Sequence, residues 1–205
     1  MSCAEKDPPK IAAVVLAAGG SRRMGQTKQL LPIGGQPMVR RVTEAVCAAG
    51  LAQVVVVVGA EAGAVGQALA GLAVDLVVNE AWAEGMSTSV RAGLHALEPE
   101  VRAVLIVLAD QPALTPRLIQ ALVRCYATTE APIVVPFYQG RRGNPVLFDR
   151  SLFAELLAVE GDQGGRVLIS RYADQVEQVQ IEDPAVIVDV DTRRDYEAVK
   201  ELDQT

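Results

Sequence analysis

The sequence predicts an α/β fold, a mostly parallel sheet covered by helices on both faces. Strand-like and helix-like segments alternate along the chain, and several strands, such as QVVVVVG at 53–59 and VRAVLIVLA at 101–109, are almost continuously apolar. Such runs suit strands buried on both sides, as in a parallel sheet between helix layers. The length of 205 residues fits one such domain with a sizeable core.

Each element has a local reason. Met1 to Lys10 is a polar lead-in with acids and two prolines, and the domain is read as residues 11–205. Ile11 to Leu16 is a β-branched apolar run short enough for a strand. The chain turns at Leu30 to Gly35, and Pro37 suits a first helical position. Met38, Val39, Val42, Ala45, Val46 and Ala49 then recur at helical spacing as far as Gly50, a C-terminal stop. Gln53–Gly59 is a strand, Glu61–Ala70 a helix and Val74–Asn79 a strand. A Ser/Thr-rich turn at Gly85–Ser89 precedes a helix from Val90 to Leu97, and the most apolar strand, Val101–Ala109, ends at Asp110-Gln111-Pro112. Thr115 and Pro116 read as N-cap and first residue of a helix to Tyr126. Strands follow at Ile133–Phe137 and Val146–Phe148 around the loop Gln139–Pro145, then helices at Ser151–Val159 and Arg166–Tyr172 around Gly161–Gly165. Strands at Val176–Ile181 and Val186–Val190 and a helix from Arg193 to Leu202 complete the chain.

The composition narrows the functional classes. A net charge of −6 and few aromatic residues argue against nucleic acid and anionic membrane as partners. An anionic small molecule would need local cations, and Arg22, Arg23, Lys28, Arg40 and Arg41 form such a cluster on the acidic background. No apolar run nears the roughly 18 residues of a membrane span, and the N-terminus lacks the apolar core of a signal peptide. Cys3, Cys47 and Cys125 show no metal-type spacing. Cys47 and Cys125 read as small core residues, and a reducing cytoplasm is the expected location.

The first strand leads into Leu16-Ala17-Ala18-Gly19-Gly20-Ser21, followed by Arg22, Arg23 and Lys28. Small residues let a ligand approach the backbone, and loop amides with fixed cations make a polyphosphate cradle. A surface turn with solvated arginines leaves this density of cations beside a buried strand unexplained. The stretch misses the P-loop pattern, because Gln26 stands at the lysine position. It misses the dinucleotide fingerprint too, with Ser21 in place of the second glycine.

Ligands of open α/β sheets collect beyond the carboxyl ends of the strands. Asp110 ends the central strand there, where it either holds Mg²⁺ against a bound phosphate or initiates the turn before Pro112. Asp191 offers a second carboxylate or caps the last helix, a position for which Thr192 competes; Asp189 is the weaker metal candidate. His95, the one histidine, reads as a helix-surface or half-buried residue, which leaves a hydrolytic triad or a His-based zinc site no basis.

The run Leu16 to Gly25 with Lys28 resembles the signature of the MobA-like nucleotidyltransferases. Gly85-Met86-Ser87-Thr88-Ser89-Val90, Leu108–Pro112, Arg142–Val146, Gly161–Arg166 and Asp189–Thr192 resemble that family's molybdenum cofactor cytidylyltransferase (MocA-type) branch, in its order. The resemblance implies a Rossmann-like three-layer α/β/α fold of the nucleotide-diphospho-sugar transferase type. It also implies transfer of CMP from CTP to the phosphate of molybdopterin or molybdenum cofactor, with release of pyrophosphate and Mg²⁺ as cofactor.

By that likeness Leu16, Ala17, Ala18, Gly19, Gly20, Ser21, Arg23 and Lys28 bind the nucleotide, with Gly85, Ser87 and Ser89 near the base. Arg23, Lys28 and Asp110 are catalytic, Asp110 and Asp191 hold the metal, and Arg142, Gly143, Asn144, Pro145, Asp162 and Arg166 face the acceptor. The Ala17-Ala18-Gly19 form resembles members using CTP rather than GTP. The chain departs from the commoner pattern at Arg22, Asn144 and Gly165. Alternatives are another phosphorylated acceptor, such as a sugar phosphate or methylerythritol phosphate, or a nucleotide-binding module or NTPase. A molybdoenzyme that receives the cofactor is a further expected partner.

Overall fold

The computed structural model describes residues 8–20 and 25–202. The first half holds β1 (Ile11–Ala17), the hairpin β2 (Pro32–Ile33) and β3 (Gln36–Pro37), α1 (Met38–Cys47), β4 (Gln53–Val58), α2 (Ala62–Ala68), β5 (Asp75–Val78) and α3 (Met86–His95). The second holds β6 (Ala103–Leu108), α4 (Pro116–Thr129), β7 (Ile133–Tyr138), β8 (Arg141–Arg142), β9 (Val146–Asp149), α5 (Phe153–Ala158), α6 (Arg166–Arg171), β10 (Val176–Gln180) and α7 (Arg193–Leu202).

Eight strands form one sheet in the order β10-β7-β9-β6-β1-β4-β5, with β8 attached to β7. β1 lies inside it, parallel to β4 on one side and to β6 on the other. β9 runs antiparallel to both its neighbours, β6 and β7, and makes the sheet mixed. Its reversal follows from a tight β7–β8 hairpin, whose corner residues Gln139 and Gly140 both have positive φ (48° and 76°). That is the twist a two-residue hairpin needs.

The alternation of side chains divides the core into two layers. Val15 and Ala17 of β1, Val56 and Val58 of β4, and Leu105 and Val107 of β6 face α1, α2 and α4. Val14, Val55, Val57, Val104 and Ile106 face α3, α5 and α6. Each fully buried Val packed this way contributes about 1.5–3 kcal/mol. Where α3 crosses β1, Gly93 leaves room for Val14, whose Cγ2 lies 3.0 Å from where a Cβ would stand. A smaller cluster of Ile33, Met38, Val190, Tyr196 and Val199 docks α7 on the β2–β3 hairpin, and Tyr196 Oη donates to the Pro32 carbonyl at 2.7 Å.

Several boundaries differ from the sequence reading. Residues 186–190 are not a strand: Pro184–Ile187 is a 3₁₀ turn whose N-cap, Asp183, accepts from Ala185 N at 2.9 Å. The Asp-Pro start signal outweighs the β-branched run. Pro37 pairs in β3 and α1 begins after it, because the hairpin uses its extended backbone. α3 begins at Met86, before the expected Val90, because Asp162, distant in sequence, accepts from Met86 N at 3.1 Å. The cations Arg40 and Arg41 are spent on packing. Arg40 binds Glu44 and the carbonyls of Ala68 and Ala70, and Arg41 binds the Pro112 carbonyl.

His95 ends α3 and is exposed. Cys47 and Cys125 pack partly buried against the larger core layer, and burial pushes both thiols up. Among the described residues no helix is long and apolar enough to cross a membrane.

Candidate active site

β1 delivers Ala18, Gly19 and Gly20 to the carboxyl edge of the sheet, between the ends of β4 and β6. The loop leaves little space around it. The Ala18 carbonyl accepts from Ala60 N at 3.0 Å and would lie 2.8 Å from a Cβ on Gly59. The Trp82 ring lies on the same two glycines, its Cη2 2.9 Å from where Gly20 would carry a Cβ and its Cγ 2.7 Å from that of Gly59. On the other side Gln29, 3 % exposed, donates to the Gly19 carbonyl at 2.8 Å. Gln29 belongs to the 3₁₀ turn Lys28–Leu30, so the bond fixes the root of Lys28 beside the loop.

Lys28 joins two acids. Its Nζ lies 2.6 Å from Asp110 Oδ2 and 2.8 Å from Asp191 Oδ1. Burial alone would lower the ammonium pKa, but the charges and hydrogen bonds of Asp110 and Asp191 outweigh it and hold it above its ordinary value. Asp110 stands just past β6, and its carbonyl accepts from Val190 N at 2.9 Å, which draws the 189–191 segment alongside. The capping question is settled by Thr192 and Asp195. Thr192 N and Oγ1 donate to Asp195 Oδ2 at 2.7 and 2.8 Å, and Asp195 N donates back to Thr192 Oγ1. That reciprocal cap starts α7 and leaves the Asp191 carboxylate to Lys28. Asp189 accepts from Gln111 Nε2 at 2.5 Å, and burial followed by the Asp110 charge pushes its carboxyl up.

These groups open into a cleft of about 550 Å³ lined by Leu16, Ala18, Gly19, Gly20, Lys28, Gln29, Trp82, Ala83, Gly85, Met86, Ser89, Leu108, Asp110, Asp162 and Asp191. Among the described lining residues Lys28 is the cation, set against three acids. Ala17 is fully buried on the α1 side of β1. Ser89 Oγ accepts from Asn79 Nδ2 at 3.0 Å, while Ser87 is buried off the cleft lining. Gly85 has φ 122°, and a Cβ there would lie 2.7 Å from the Gly161 carbonyl carbon, which packs the 161–163 turn against the start of α3. Asp162 thus both lines the cleft and caps α3.

Gly143 N donates to Pro136 O of β7 at 2.8 Å, and Asn144 N docks the loop on the 184–187 turn by donating to Val186 O at 2.9 Å, before the cis Asn144–Pro145 bond. Exposed Arg142 and Arg166 stand off the cleft lining but close enough that burial, then the Arg166 charge, lowers the Arg142 guanidinium. Ser21 and Arg23 lie outside the described residues.

Two residues at the loop went unread in the sequence. Gln29, as a polar residue beside a candidate cation, carried a weak signal. Trp82, the single tryptophan, carried a better one.

A metal can be tested against the donor set. No group of three or more His, Cys, Asp or Glu that could close a metal site exists among the described residues. Asp110 and Asp191 nonetheless converge on one cation, and Asp110 Oδ1 is buried with no hydrogen-bond partner. Two carboxylates, one with an unspent oxygen, fit a hard cation whose remaining ligands are phosphate oxygens and water.

Comparisons with known proteins supply the family. Residues 13–179 match the MobA-like NTP transferase domain. The chain is 32 % identical over 200 residues to nicotine blue oxidoreductase of Paenarthrobacter nicotinovorans, covering 92 % of this chain and 95 % of the relative. It is also 32 % identical to a probable molybdenum cofactor guanylyltransferase of Mycobacterium marinum, covering 97 % of each. Among solved structures it is similar to Rv0371c from Mycobacterium tuberculosis H37Rv, with a TM-score of 0.85, 30 % identity and 95 % and 99 % of the two chains covered. That protein has also been solved in complex with manganese, where the TM-score is 0.83.

Proposed function

This chain belongs to the MobA-like NTP transferase family, and from that premise we propose that it transfers CMP from CTP to the phosphate of molybdopterin or its molybdenum-loaded form, with Mg²⁺ and release of pyrophosphate. The observation that carries the reading is the convergence of Asp110 and Asp191 on Lys28 at the mouth of the glycine loop. Nucleotidyl transfer between two phosphate-bearing partners needs fixed cations and a metal-ready carboxylate pair. It needs no nucleophilic side chain, because the acceptor phosphate is already ionised at neutral pH.

In this reading the amides of Gly19 and Gly20, with Lys28 and Arg23, receive the triphosphate. Asp110 and Asp191 would hold the cation, which when bound neutralises the phosphate oxygens and the departing pyrophosphate. An acceptor oxygen attacks the α-phosphorus in line, and the chain's contribution is positioning and charge compensation. Arg142 and Arg166 form a like-charged pair that an acceptor phosphate would relieve, with Gly143, Asn144 and Pro145 following Arg142 out of the β7–β8 hairpin. Asp162 ties that side to the base side through α3.

CTP is favoured because the Ala17-Ala18-Gly19 form resembles family members that use CTP rather than GTP. The name of the mycobacterial relative favours GTP. A thermal-shift panel of CTP, GTP, ATP and UTP with Mg²⁺ separates the two, since the true donor stabilises the native state most. The reaction is tested by pyrophosphate release with each nucleotide and with molybdopterin, a sugar phosphate or methylerythritol phosphate as acceptor. Lys28→Ala and Asp110→Ala should each lower turnover by around 10²–10³, by analogy with loss of one preorganised charge-stabilising donor. Near-normal release by either variant, or no release with any pair, would overturn the assignment.

A second reading, an oxidoreductase, is favoured by the name of the Paenarthrobacter relative. Reduction of nicotine blue coupled to oxidation of an added two-electron donor, without pyrophosphate release, would select it.

A further inference from the structure

We propose that Lys28 competes with the divalent cation for the Asp110–Asp191 pair, so that the metal binds tightly only once a nucleoside triphosphate has drawn the ammonium away. The inference rests on the nucleotidyltransferase reading and adds an order of assembly to it. The Lys28 ammonium already occupies the point where the two carboxylates meet, 2.6 Å from Asp110 Oδ2 and 2.8 Å from Asp191 Oδ1. A divalent ion would sit about 2.0–2.1 Å from the same oxygens. The ammonium and a divalent ion would then crowd the same two oxygens, where like charges repel strongly. Asp110 Oδ1, buried and unpaired, offers a further ligand but cannot substitute for the shared pair.

The fold supplies the means of exchange. The Lys28 backbone is held in the turn that Gln29 ties to Gly19, while its flexible four-carbon stem can re-aim the ammonium without moving that turn. A triphosphate seated on the Gly19–Gly20 loop would offer anionic oxygens to an ammonium rooted beside that loop. Asp110 and Asp191 would then lose the ammonium that bridges them and could take the metal in its place. Without nucleotide the same ammonium offsets the mutual repulsion of Asp110, Asp189 and Asp191, which share one end of the sheet. By linkage, nucleotide and metal must strengthen one another's binding by the same factor.

The test is a Mn²⁺ titration of the full chain, without nucleotide or acceptor, read by the electron paramagnetic resonance signal of free Mn²⁺. Lys28→Met should bind Mn²⁺ roughly 10- to 100-fold more tightly than wild type, the range set by the charge-assisted hydrogen bonds that no longer have to be broken. Lys28→Met/Asp110→Asn should lose that gain. Equal or weaker binding by Lys28→Met, or a gain that survives in the double variant, overturns the proposal. Should circular dichroism show Lys28→Met unfolded, Lys28→Gln removes the same charge and carries the same expectation. Pyrophosphate release by wild type separates the two levels. A wild type that turns over while Lys28→Met shows no gain refutes the competition alone; a gain with no turnover refutes the nucleotidyltransferase reading alone.

Discussion

Replacing Gly59 by alanine should damage the cleft through Trp82. A Cβ at that position would lie 2.7 Å from Trp82 Cγ, 2.8 Å from Trp82 Cβ and 2.8 Å from the Ala18 carbonyl oxygen. The backbone conformation is not at issue, since Gly59 is absent from the positive-φ glycines. The cost is therefore steric, and two of its three contacts leave no easy way out. The carbonyl belongs to the loop that leaves β1, and the indole root is fixed by the turn that starts at Asn79. Overpacking of this kind costs about 1–3 kcal/mol. For a chain of this length that is a fall of roughly 2–12 °C in melting temperature.

Trp82 is the single tryptophan, so emission excited selectively at tryptophan reports on this wall of the cleft. Gly59→Ala should shift the emission and weaken nucleotide binding as the indole moves off Gly20. Gly63→Ala is the control. Nothing lies within 4 Å of its added methyl, and inside α2 alanine should be neutral or stabilising by up to about 1 kcal/mol. Gly59→Ala with the wild-type melting temperature and emission would refute the claim that the indole braces the glycine loop.

Three further outcomes follow from other parts of the structure. Gln29→Ala leaves the Gly19 carbonyl without its side-chain donor and should cost about 1–3 kcal/mol, with nucleotide affinity falling in a titration. Asp195→Ala removes the reciprocal cap of α7 and should cost about 0.5–2 kcal/mol in urea unfolding, with Asp191 retained as a control. Tyr126 Oη donates to Asp149 Oδ2 at 2.5 Å; burial would raise the Asp149 carboxyl, but this bond and those from Ser151 outweigh it and hold it below the ordinary 3.8. A depressed carboxyl stabilises the fold above its unfolded value and loses that contribution as pH falls through the folded one. Tyr126→Phe should therefore cost about 1–2 kcal/mol at neutral pH, with the difference from wild type shrinking below pH 3.8; a constant difference down to pH 2 would refute the coupling.

Local chemistry is legible wherever one segment decides alone. The strands at the middle of the sheet were readable because their runs of valine and leucine suit burial on both faces. Thr115-Pro116 was readable as a helix start because the cap bond from Leu118 N closes within three residues. Glycines at 19 and 20 and the aspartate after β6 marked the loop and the rim, since each follows directly on a buried apolar run.

Partnerships across the chain were not legible. The start of α3 waits on Asp162, the meeting of Asp191 with Lys28 on the bond that draws Val190 to Asp110, and the fate of Arg40 on the carbonyls at the end of α2. Lys28 and Asp191 stand 163 residues apart, and no periodicity in either neighbourhood predicts that they share a hydrogen bond. Chain composition determined which segments must be buried, because the transfer of apolar surface from water acts on each segment through its own side chains. Which charges meet was decided by packing, because a Coulomb interaction depends on separation in space, and only the closed sheet sets that separation.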